Sequence, residues 1–141
     1  MLGQMQKMPR LVALSLVVPL ALSACAASRS APPEPAPLPD ASSVALGQRA
    51  YADGPVIQPV RILEDSRCPE NVMCVWAGQV RLKMRWIRPG GRSQAFEAIL
   101  GKRIPLADGT ILLERVTPAR HTGRPIKSED YRFAFRFDGG L

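Results

Sequence analysis

Cys68, Met73 and Cys74 lie close together in the chain, and His121 is its single histidine. Two thiolates, a thioether and an imidazole would suit Cu(I). The same cysteines could instead cycle as a redox pair or close a structural disulfide. Spacing argues against the first two roles. Redox cysteines usually have two intervening residues, not five, and Cys-x5-Cys without a second cysteine pair matches no zinc pattern. No metal and no cofactor is expected. A hydrolase needs a nucleophile, a base and an orienting group. His121 is the only imidazole, in the stretch Arg120-His121-Thr122-Gly123-Arg124. No Gly-x-Ser-x-Gly, Ser-x-x-Lys, His-Glu-x-x-His or phosphate-loop pattern occurs. Glu64 and Asp65, like Glu129 and Asp130, are adjacent, so in extended chain they point to opposite faces. No catalytic residue is expected, and the chain reads as a non-enzyme.

The elements that must carry these residues have period 2. Val80, Leu82, Met84 and Trp86 share one face of a strand; Arg81, Lys83 and Arg85 share the other. Tyr131, Phe133, Phe135 and Phe137 repeat the alternation, with Arg132 and Arg136 opposite. If these two strands neighbour, their arginines and Lys83 form a basic plate suited to anionic envelope polymer or phosphates. The other reading of these charges is an ordinary solvated sheet face.

Turn chemistry separates further strands. Pro89 and Gly90 suit the centre of a type II turn, and Asp108 and Gly109 a type I′ hairpin. Asp53 and Gly54 turn the chain between a strand over 44–51 and one over 56–63, where Pro59 implies an edge or a bulge. These signals predict about seven short strands and no long helix, hence an all-β fold, a small antiparallel β-sandwich or barrel. Two irregular stretches remain, 65–78 and 118–130. Loops of that length are functional or pinned.

The N-terminus carries an address. Lys7 and Arg10 precede an apolar run over 11–22, then Leu22-Ser23-Ala24-Cys25. This string resembles the lipobox of bacterial lipoproteins. The resemblance implies a signal peptide over 1–24, cleavage before Cys25, and acylation of Cys25, with palmitate among the chains. Ala26 rather than Asp follows the cysteine, which implies the outer membrane, facing the periplasm. Two or more acyl chains anchor stably. Export makes nucleic acid an unsuitable partner. Removing 1–24 takes Lys7 and Arg10 and no acid, so most of the net charge of +7 belongs to the mature surface. Residues 25–43 hold the lipidated cysteine and a Pro-rich linker, read as a disordered, polyproline-prone tether. The β domain is placed over 44–141.

Lipidation of Cys25 leaves Cys68 and Cys74, an even pair in an oxidising compartment, and one disulfide closes the arithmetic. Around it, Asp65-Ser66-Arg67-Cys68-Pro69 and then Cys74-Val75-Trp76-Ala77-Gly78 resemble a motif of small secreted bacterial β domains without a settled activity. That resemblance implies a fold and no catalytic role. Asp65 and Arg67 read either as a pair that braces the loop or as solvated charges, and Trp76 as a core plug beside the disulfide rather than a ligand platform. Arg67 and Trp76 also join Arg81, Lys83 and Arg85 as candidate binding residues. The expected function is a membrane-anchored, non-enzymatic β domain with a structural or binding role. The alternatives are an inhibitor-like or protein-binding module using the Cys68–Cys74 loop, and a copper or redox site at Cys68, Met73 and Cys74. The expected partners are the membrane, through the anchor, and an envelope protein or anionic polymer.

Overall fold

The computed structural model describes residues 36–140. The expected signal segment, the expected lipobox with Cys25 and most of the Pro-rich stretch lie outside the described residues. The described part is all-β, as the alternation predicts. Strands β1 (Ala50–Tyr51), β2 (Val56–Asp65), β3 (Val80–Ile87) and β4 (Ser93–Ile99) form one antiparallel sheet in the order β1-β2-β3-β4. Strands β5 (Arg103–Leu106), β6 (Gly109–Thr117) and β7 (Arg132–Gly139) form the second, in the order β5-β6-β7. The inner faces share one apolar core. Ile57, Leu82 and Met84 come from the first sheet, and Ile111, Leu113 and Phe133 from the second. This is a small β-sandwich.

Bulges explain where simple alternation breaks. In β6, Leu113 pairs with Phe135 and Arg115 with Ala134, so one residue is extra. The next inward side chain after Leu113 is therefore Val116. A similar shift follows Pro59 in β2, the irregularity its missing N–H demands. Gly90 adopts φ 77 between β3 and β4, as its turn requires.

Three expectations need correction. The strand expected over 44–51 shrinks to Ala50–Tyr51, because its first part serves the other sheet. Val44 and Phe133 exchange backbone hydrogen bonds of 2.8 and 2.9 Å, and the Phe135 N–H donates to the Ala41 carbonyl at 2.8 Å. Tyr51 N–H donates to the Pro39 carbonyl at 2.9 Å, so backbone pairing with the domain already begins before residue 44. The hairpin between β5 and β6 turns at Ala107 and Asp108, one residue earlier than read. Gly109 lies in the strand, where a Cβ would stand 2.2 Å from the Asp138 carbonyl oxygen. That glycine answers a close strand approach, not a turn. Finally, β3 and β7 belong to different sheets, so the joint basic plate does not form.

Candidate functional site

The two irregular stretches, distant in sequence, meet in space. The first continues the β2–β3 hairpin beyond its strands. Ser66 N–H donates to the Gln79 carbonyl at 2.9 Å, and Cys68 N–H to the Ala77 carbonyl at 3.1 Å. This neck is so close that a Cβ on Gly78, at φ +70, would lie 1.8 Å from the Ser66 carbonyl oxygen. Only glycine fits, which gives the Cys-x-Trp-x-Gly pattern a physical reason. Above the neck Cys68 and Cys74 form a disulfide with Cα atoms 5.8 Å apart.

An ion pair fastens the loop's base to the second sheet. Arg67 Nε and Nη2 donate to the two Asp65 carboxylate oxygens at 2.8 and 2.7 Å. Arg67 Nη1 donates to the Val116 carbonyl of β6 at 2.8 Å. The Tyr131 hydroxyl donates to Asp65 Oδ2 at 2.8 Å, from the residue just before β7. Burial alone pushes the Asp65 carboxyl up. The Arg67 guanidinium and the Tyr131 hydroxyl outweigh it and hold the carboxyl below its ordinary value. Burial, and then its bond to the carboxylate, pushes the Tyr131 hydroxyl up to about 12. The expected Asp65–Arg67 brace is present, and it is part-buried rather than surface decoration.

The second stretch folds back on itself and lies against the first. Arg124 N–H donates to the His121 carbonyl at 3.2 Å, closing a small turn around Gly123. Three polar bonds then join the stretches. Glu70 N–H donates to the Arg120 carbonyl at 2.9 Å. Arg120 Nη1 donates to the Arg67 carbonyl at 2.8 Å. Thr122 N–H donates to Asn71 Oδ1 at 2.9 Å. His121 Nε2 also sits 3.3 Å from a Glu70 carboxylate oxygen.

The outer end of this body is apolar and wet. Met73 is fully exposed, Val75 is 89% and Trp76 81% exposed, and Val72 is 44% exposed. Trp76 is therefore no core plug, because β3 begins only at Val80 and nothing opposes the loop on Trp76's side. The candidate copper set does not assemble either. Its two cysteine sulfurs are spent in the disulfide, and only the Met73 thioether is left. Among the described residues no group of three His, Cys, Asp or Glu side chains could hold a metal ion.

The other candidate binding residues separate. Arg67 is engaged at the loop's base. Arg81 donates to Glu97 at 2.8 Å and has Glu64 at 3.8 Å. Lys83 and Arg85 stand exposed on the outer face of β3, apart from the loop body. Sequence reasoning missed Arg120, Thr122 and the Tyr131 hydroxyl, whose partners lie about fifty or more residues away. No family model, curated protein or solved structure matches the chain.

Proposed function

We propose that this protein is a lipid-anchored envelope protein whose β-sandwich presents the Cys68–Cys74 loop to a protein partner. Binding, not catalysis, is its activity. The observation that carries the reading is the exposed apolar tip, Val72, Met73, Val75 and Trp76, on a loop held rigid from below. A fold that buries its aromatic strand β7 so thoroughly does not leave a tryptophan in water for want of a core. Clustered exposed apolar side chains mark interaction sites. Tryptophan is enriched among the residues that dominate interface energies. The disulfide and the polar bonds to the second stretch hold the tip in one shape before binding, which lowers the ordering cost of association.

Acylation of Cys25 would confine this contact to the membrane surface, with the Pro-rich stretch as spacer. The lipobox pattern and the apolar run before it support the anchor. Two measurements test the function. A photo-crosslinking residue at Met73 of the full chain, in cells, should give a discrete protein adduct that the same probe at Glu114 does not. Glu114 is exposed on β6, away from the loop. Equal adducts at both positions, or none at Met73, would defeat the reading. Cys25→Ser should move the protein from the membrane fraction to the soluble one, and unchanged fractionation would remove the anchor from the proposal.

A further inference from the structure

Beside the apolar tip, at its root, lies a cavity of about 510 Å³. Pro69 of the loop lines it together with Arg120, His121, Arg124, Tyr131 and Asp65. Its charges do not cancel. Asp65 is saturated, since Arg67 and Tyr131 occupy both its oxygens. Arg120 commits a single guanidinium nitrogen, and that to a neutral carbonyl. Among the described residues, the Arg124 side chain has no carboxylate within 4.0 Å. Glu70, which does not line the cavity, is turned to His121. Asp130 lines an adjoining recess that Arg124 shares, and among the described residues the two make no ion pair. Two arginines with guanidinium donors to spare therefore line this recess. Their planar forks suit an oxyanion, which they can grip through paired N–H groups.

We infer, resting on the loop-binding reading above, that this cavity receives a carboxylate of the same protein partner, from an Asp or Glu side chain or a chain terminus. The partner then offers two features side by side: an apolar recess for Met73 and Trp76, and an acid for Arg120 and Arg124. A bilayer surface fits less well. It would press a layer of phosphates against Glu70, which is 63% exposed beside His121 of the cavity lining. A single carboxylate need not meet Glu70, which is held at His121. The apolar contact supplies affinity, and the buried acid supplies selection, because a partner without it leaves two arginines desolvated and unpaired.

The test uses the full chain in cells, with the photo-crosslinking residue at Met73. Arg124→Glu reverses the charge at a side chain that makes no hydrogen bond within the described residues, so the fold is retained. The loop adduct should fall at least tenfold. Arg124→Lys keeps the charge and introduces an amine. Carbodiimide treatment should then join that position, by an amide, to an Asp, Glu or terminal carboxyl of the protein captured at Met73. If Arg124→Glu leaves a protein adduct at Met73 intact and Arg124→Lys yields no such amide, the carboxylate inference is wrong while the loop reading stands. If Met73 captures lipid, or no protein at all, both fail.

Discussion

The β2–β3 hairpin has two halves with opposite fates. Along Val56–Asp65 and Val80–Ile87 one face turns inward, where Ile57, Leu82 and Met84 meet a second sheet. Past the Ser66–Gln79 rung the same two chains continue to pair, yet their apolar side chains face water. Burial orders the first half. A disulfide, an ion pair and bonds to the 118–130 stretch order the second. Apolar residues in this molecule thus have two roles, and only the surroundings tell them apart. In one half they are the source of stability. In the other, stability comes from polar and covalent ties, and the apolar groups stay exposed to water.

The largest effect should come from the buried half. Phe133 is fully buried, stacks on Tyr131 with ring centroids 5.9 Å apart, and pairs with Val44 from the N-terminal segment. Phe133→Ala should cost about 3–5 kcal/mol in chemical denaturation. A loss below about 1 kcal/mol would mean that the two sheets do not share the core described. The covalent tie should matter less. Replacing both cysteines, Cys68→Ser with Cys74→Ser, should cost about 2 kcal/mol, since the closed loop is short. The sandwich should keep its far-ultraviolet dichroism while the loop becomes open to proteolysis.

These two halves were not equally legible. Strands β3 and β7 announce themselves, because Val80, Leu82 and Met84 alternate with charged residues, and Phe133, Phe135 and Phe137 with Arg132, Ala134 and Arg136. That signal is local and depends only on the two-residue period of a strand. The Cys68–Cys74 pair follows from parity once Cys25 is set aside. Trp76 was misread because the alternation rule assumes a facing layer, and no residue near position 76 reveals that the layer stops at Val80. The cavity was invisible for a different reason. Arg120 and Tyr131 reach residues 67 and 65 by tertiary contact, and no sequence period records a bond across fifty or more positions. The strand order had the same obscurity, so β3 and β7 could be taken as neighbours.

The brace between the halves should respond to pH. The folded state holds the Asp65 carboxyl below its ordinary value, so its contribution is complete above that value and fades as pH falls through the depressed one. Tyr131 runs the other way. Its folded value of about 12 lies above the ordinary 10.0, so its contribution holds below pH 10.0 and fades as pH rises toward 12. Asp65→Asn should cost on the order of 1 kcal/mol at neutral pH, because Arg67 and Tyr131 lose a charged acceptor in a partly solvated site. It should also flatten the acid limb of a stability profile. An acid limb unchanged by the substitution would show that the loop is fastened elsewhere.

The smallest effect on stability should fall on the tip, and it is the sharpest test of the contrast. Trp76→Ala removes the largest side chain of the loop, yet that side chain is 81% exposed. An exposed substitution away from caps, cavities and strained backbone shifts stability by no more than about 0.5 kcal/mol. Trp86 provides the matching control. It lies on the inner face of β3, packs on the core and carries the Arg88 guanidinium 4.8 Å above its ring. Trp86→Ala should therefore destabilise several times more than Trp76→Ala in the same denaturation assay. Binding should reverse that order. Trp76→Ala should reduce capture at the loop tip at least tenfold, as expected for an interface anchor. Trp86→Ala should leave capture intact wherever the protein remains folded. If Trp76→Ala instead destabilises as much as Trp86→Ala, the tip is part of the fold and the division between the two halves of the hairpin does not exist.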